Sequence, residues 1–372
     1  MPSSISSSES ATFESLAPPR QPWAKILLVM LFLWAAAAAG AELFARSRGF
    51  KPTLLDDADL WCHVRSCVRP NDRDQIVLVG ASRLQMDVDP RVIGRELHVE
   101  PPLQLCVHGS TSIPALEELS NDHGFHGIVL CDVIPAHYFH TSEFDGGQQQ
   151  VYVEHWKSRP FISSIERELV TQFQSSFVLR LLASARSDNG KHWIVARQLP
   201  VPDYIRMLAD RCIIANFELA NKSSVEGIVE RGLNRSTASP ISETQLKGNL
   251  RRIEEFVCRI QARGGRVIFL RLPVSGKMRE LEERNFPKDK FWDVFRQSSS
   301  AQFVDFANYP SMRSFHCGDG SHLDGRDREP FSNALAEALR PLLRLSSQST
   351  GLPDSTAGGA RGKIYSDVSV TP

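Results

Sequence analysis

The chain has 372 residues, 42% of them apolar and 23% charged, a balance that fits one large globular domain or two ordinary ones. Lysine plus arginine and aspartate plus glutamate both total 43, so formal net charge is zero and no nucleic-acid-binding surface is implied. Seven scattered cysteines with no Cys-x-x-Cys pair argue against a zinc site, and neither a metal nor a cofactor is expected.

In chain order, residues 1–24 form a Ser-rich leader with few large apolar side chains, expected to be disordered. Residues 26–41 then carry no charge; Glu42 interrupts, and Leu43, Phe44 and Ala45 continue the run. The span 25–46 suffices for a membrane helix of about 20 residues. An uncleaved signal-anchor is the first reading. A cleaved signal peptide competes, because Ala39-Gly40-Ala41 has the small-x-small form, and a buried soluble helix is the third. Arg20 and Lys25 precede the span while Arg46, Arg48 and Lys51 follow it, so flanking charge does not set orientation. Residues 52–74 read as a short helix beneath a sheet, with Trp61 beside Cys62; Cys62 and Cys67 could pair in an oxidising compartment.

The core begins at Gln75-Ile76-Val77-Leu78-Val79-Gly80-Ala81-Ser82-Arg83. Its short, wholly apolar run reads as a buried parallel strand, with Gly80 at the turn and Ser82 exposed at the strand's carboxyl end. Further strands are expected at 103–107, ending in His108-Gly109-Ser110, and at 127–131, ending at Asp132. Residues 113–119 make a helix between them, with Pro114 in its first turn. Cys106, Cys131 and Cys258 lie in apolar runs and read as buried small hydrophobes.

Residues 136–242 break the rhythm and read as a helical insertion. Residues 164–185 carry Ile165, Leu169, Phe173, Phe177 and Leu181 at steps of four, while Gly146-Gly147-Gln148-Gln149-Gln150 reads as a flexible loop. The insertion either covers the sheet or forms a lid over a site. Alternation returns with a capping box, Ser242-Glu243-Thr244-Gln245, and a helix whose face is Leu246, Leu250, Ile253, Val257 and Ile260. Strands at 267–270 and 302–306 follow; Arg271, at the end of the first, reads as a structural ion pair or as a contact near a site. A last helix has Phe331, Ala334, Leu335, Ala338, Leu339 and Leu342 on its face, and residues 346–372 read as a disordered tail. The expected fold is α/β, a three-layer α/β/α sandwich on a roughly five-stranded parallel, flavodoxin-like sheet.

Between the last strand and last helix stands Cys317-Gly318-Asp319-Gly320-Ser321-His322-Leu323-Asp324. A spacing of three puts Asp319 and His322 side by side, and a serine hydroxyl needs such a base and a group that holds the base's tautomer. A strand ending in Gly-x-Ser near the domain start and Asp-x-x-His near its end resembles the SGNH (GDSL-like) hydrolase superfamily. The likeness is greatest to its membrane-anchored branch, which includes periplasmic proteins similar to alginate and peptidoglycan O-acetyltransferases. It covers roughly residues 52–344 and rests also on Arg271-Leu272-Pro273-Val274-Ser275.

That resemblance implies Ser82 as nucleophile, His322 as base, Asp319 as its partner, and the Ser82 and Gly109 amides as oxyanion donors. It also implies a domain outside the cytoplasm, an acylated glycan, cell-wall polymer or small ester as substrate, and a membrane acyl-donor protein as a candidate partner. Two departures weigh against efficient hydrolysis. Ala81 replaces the family's first-block aspartate, and Cys131-Asp132-Val133-Ile134-Pro135 stands where a Gly-x-Asn-Asp block supplies an asparagine. A catalytically inactive membrane accessory or scaffold protein is therefore the alternative. A phosphate-binding Rossmann protein is excluded, since no glycine-rich loop follows Gly80.

Overall fold

A computed structural model describes residues 22–139, 147–158, 163–186, 191–220 and 241–343, together with Val225, Gly227 and Glu230. Most of the expected leader and the whole tail lie outside the described residues. Helix α1 (Trp23–Ser47) is long and apolar enough to cross a membrane, and its window of highest hydropathy has no residue buried against the rest of the chain. Then come α2 (Ala58–Arg65), β1 (Ile76–Val79), α3 (Ser82–Asp87), α4 (Pro90–Leu97), β2 (Leu103–Gln104), α5 (Ile113–Asn121), β3 (Ile128–Asp132) and α6 (Pro135–Phe139). The middle holds α7 (Gly147–Ser158), α8 (Ser163–Ser176), a 3-10 turn at Leu179–Ala183, α9 (Trp193–Ala196), β4 (Ile205–Met207) and β5 (Ile213–Ala215). The chain continues through α10 (Glu243–Ala262), β6 (Arg266–Arg271), α11 (Gly276–Asn285), α12 (Trp292–Gln297), β7 (Gln302–Asp305), α13 (Pro310–Arg313) and α14 (Arg328–Leu339).

Five strands make one parallel sheet in the order β2-β1-β3-β6-β7. All four β1 side chains are buried, as a strand covered on both faces requires. Strand alternation sends Val77 and Val79 into a core with Ile113 and Leu116 of α5 and Ile253 and Val257 of α10. Ile76 and Leu78 enter a second core with Ile93 of α4 and Phe331 and Leu335 of α14. Strand β2 is shorter than expected. The chain nevertheless tracks β1 further, through Leu105 N–H to Leu78 O (2.9 Å) and Val107 N–H to Gly80 O (3.0 Å). The strand order reverses between β1 and β3, the point at which open α/β sheets leave a crevice for ligands.

The capping box is present, with Ser242 Oγ accepting from Gln245 N–H, and Pro114 sits in the first turn of α5. Elsewhere the structure corrects the sequence. Gly147 to Gln150 is the first turn of α7, stabilised because Gln149 is buried and its Nε2 donates to Leu105 O (2.9 Å). The insertion also contains an antiparallel ribbon, β4–β5. Cys258 is exposed, because α10 buries the neighbouring face that carries Val257 and Ile260. Cys62 and Cys67 are not bonded to each other. Leu169, Phe173 and Phe177 are exposed rather than packed on the sheet.

Candidate active site

Ser82 is the first residue of α3, carried to the carboxyl edge of the sheet by β1 and turned there at Gly80. A side chain at Gly80 would overlap Asp132 Cβ at 2.7 Å, so this turn admits only glycine. Asp319 and His322 follow β7, three strands away, about 14 Å at ordinary strand spacing. The 306–325 segment bridges that distance across the sheet edge. Cys317 N–H donates to Ser275 Oγ (2.9 Å) and Ser275 N–H to Gly320 O (2.9 Å), above the end of β6. Leu323 N–H then donates to Asp87 Oδ1 (2.9 Å) at the end of α3.

The result is a connected triad. His322 Nε2 lies 2.8 Å from Ser82 Oγ, across 240 positions of sequence, and His322 Nδ1 lies 2.7 Å from Asp319 Oδ2. Asp319 Oδ1 also accepts from the amides of Ser321 (2.9 Å) and His322 (2.8 Å), so one carboxylate fixes both the loop and the ring. Gly320, at φ +82°, makes the left-handed turn between them. Burial pushes the Asp319 pKa up, but the hydrogen bond and charge of His322 outweigh it and hold the carboxyl below its usual range. In the neutral ring, Nδ1 donating to that carboxylate leaves Nε2 as the acceptor facing the serine.

The three residues are nearly enclosed: Ser82 is 9% exposed, His322 6% and Asp319 3%. His108 and Gly109, in the loop after β2, are both exposed. The His108 ring stacks over His322 at 6.3 Å between centroids, which brings the loop after β2 against the triad. Gly109 has φ +69°, and Ser110 Oγ accepts from Gln149 N–H (3.0 Å), so α7 holds this loop in place. Compared with known proteins, the chain matches no family model, no curated protein and no solved structure. Ser82, Asp319 and His322, singled out in the sequence, are thus brought together, with Gly109 in the loop beside them. Arg271 instead pairs with Asp305 (3.4 Å), the structural reading of that residue. Among the described residues no group of three or more His, Cys, Asp or Glu is arranged to hold a metal.

Residues that the sequence did not point to support this arrangement. The buried Arg83 guanidinium donates to both carboxylate oxygens of Glu282 and, through Nε, to Ser321 Oγ (3.0 Å). Asp87 and Asp132 are buried beneath the site. Burial drives the Asp87 pKa well up, against the single donor Leu323 N–H.

Burial likewise raises Asp132 to about 7. Neither of its oxygens meets a donor at good hydrogen-bonding geometry; the charge of Arg83 and the nearby amides of Ala81 and Leu84 offset burial only in part. A carboxyl whose folded pKa is raised holds its proton longer in the folded state. Stability therefore falls as pH climbs from the unfolded value near 4 to about 7, and is level above. Asp132→Asn keeps the shape without the charge, and should stabilise the fold at pH 8 by up to roughly 4 kcal/mol and not at pH 4. Denaturant midpoints at the two pH values measure this; an equal change at both would refute the assignment.

Proposed function

We propose that the chain is a membrane-anchored serine ester hydrolase or O-acyltransferase of the SGNH type, built on a three-layer α/β/α sandwich. The observation that carries the reading is the Ser82–His322–Asp319 chain of hydrogen bonds. Ser82 Oγ attacks the acyl carbonyl while His322 Nε2 takes its proton. The tetrahedral intermediate collapses, and His322 returns the proton to the departing alcohol. Water, or a glycan hydroxyl, then attacks the acyl-serine with His322 again as base. The first outcome is hydrolysis, the second transfer. The amides of Ser82 and Gly109 are the candidate oxyanion donors, each contributing about 3 kcal/mol where such donors have been removed. The lack of a side-chain amide at Asp132 removes an oxyanion donor that both outcomes would use, and it favours the alternative of an inactive accessory or scaffold protein. Covalent labelling by a fluorophosphonate tests the nucleophile, and a folded chain that does not label supports the inactive-scaffold reading instead.

The anchor is α1, with the domain outside the cytoplasm and an acylated glycan or cell-wall polymer as substrate. The uncharged run at 26–41 supports the anchor. The chain should stay in the membrane pellet after alkaline carbonate extraction, and a reporter fused to its C-terminus should be active only if exported. Recovery in the soluble fraction rules the anchor out.

A further inference from the structure

Among the described residues outside α1, six exposed large apolar side chains gather in the segment 169–199: Leu169 and Phe173 on α8, Phe177 just after it, and Ile194, Val195 and Leu199 in and after α9. Three other exposed ones among the described residues, Leu55, Val151 and Leu219, lie outside that segment. The first three are spaced at i, i+4 and i+8, one stripe of a helix. A soluble surface seldom gathers its large apolar side chains this way unless something covers them.

The structure also says where this face sits. Glu42 of α1 accepts from the amides of Val178 (2.9 Å) and Leu179 (2.7 Å), which follow α8 directly. Arg46 donates to Ser176 O (2.7 Å). His192, just before α9, bonds Ala183 O (2.9 Å), so α9 belongs to the same group. Glu42 lies five residues before the end of α1, about 7–8 Å along its axis. The end of α8 is therefore level with the last turn of the helix that would cross the bilayer. The charge agrees in sign: residues 163–202 carry Arg167, Arg180, Arg186, Lys191 and Arg197 against Glu166, Glu168 and Asp188, and Arg46, Arg48 and Lys51 flank the end of α1.

We propose that the face made by α8 and α9 lies in the headgroup layer of the bilayer that α1 spans, with phospholipid as its partner. This rests on the reading of α1 as an anchor. Apolar side chains enter the acyl boundary and the basic ones meet phosphate groups, as in interfacial helices. The contact holds the domain against the membrane at a second point and fixes which way the triad faces.

The test uses the full chain in vesicles of phosphatidylcholine and phosphatidylglycerol. A photoactivatable benzoylphenylalanine replaces Phe173, Leu33 in the middle of α1, or the exposed Glu255 of α10, one at a time, and lipid adducts are read by mass spectrometry. Adducts are expected at 33 and 173, with the yield at 173 about tenfold above that at 255. An adduct at 33 with none at 173 overturns the inference and leaves the anchor standing, as does a cross-link from 173 only to a second copy of the chain. No adduct at 33 overturns the anchor reading itself, and this inference with it.

Discussion

Ser82→Ala should abolish fluorophosphonate labelling of the full chain, a loss of at least about 10³-fold, while leaving the fold intact. The reagent reports the nucleophile alone, so the result does not depend on knowing the substrate. Among the described residues Ser82 Oγ has one hydrogen-bond partner, His322 Nε2, and the loss of a single hydroxyl oxygen leaves no cavity of consequence. The stability change should therefore stay within about 1 kcal/mol. His322→Ala should lower the labelling rate nearly as far, for lack of a base. Asp319→Asn is the informative third variant. Its Oδ1 still accepts the amides of Ser321 and His322, so the loop keeps its shape, but the group facing Nδ1 no longer fixes the tautomer. In a triad with this geometry the corresponding change costs roughly 10⁴ in rate. Undiminished labelling of Ser82→Ala would mean that another residue carries the reactivity. An unlabelled wild-type chain with an intact fold would favour the scaffold.

How much of this could be read from the sequence depends on how local the determinant is. Strand β1 was legible because four consecutive apolar residues and a glycine specify a buried strand and its turn within a few positions. The Asp319–His322 contact was legible for the same reason, since three residues and one left-handed glycine suffice to form it. Helix α8 was legible as a helix, but not its environment. A repeat of four fixes which side chains share a face and is silent on whether protein, water or lipid covers it. Phe173 and Phe177 therefore fitted a face that covers the sheet or a lid over a site equally well. The start of α7 was hidden because Gly-Gly-Gln-Gln-Gln has no helix-forming pattern of its own; what holds it is the buried bond from Gln149 to Leu105, 44 positions earlier in the chain. Arg83 and Glu282 gave no signal at all. Their pairing is a tertiary event across 199 positions.

That pair yields the second large effect. Arg83 is 4% exposed and Glu282 3%, so each charge was taken out of water and depends on the other. Glu282→Ala removes the carboxylate bonded to the buried guanidinium and leaves only the charge of Asp132 near it, which should cost about 3–5 kcal/mol. For a domain of this size that lowers the thermal midpoint by roughly 10 °C. Stability is only half of the expectation, because the same guanidinium donates to Ser321, the residue before His322. A double variant, Arg83→Met with Glu282→Leu, separates the two roles. With both charges gone neither partner of the pair is left unpaired, and at a pH below about 7, where Asp132 holds its proton, most of the midpoint should return. The Ser321 hydroxyl would still lack its donor, so the loop carrying His322 would be held less firmly and labelling of Ser82 should stay slow. Recovery of the midpoint without recovery of labelling identifies Arg83 as a positioning residue for the triad. Recovery of both reduces it to a structural ion pair. A midpoint that does not move in Glu282→Ala would show that the two charges are not coupled in the folded protein.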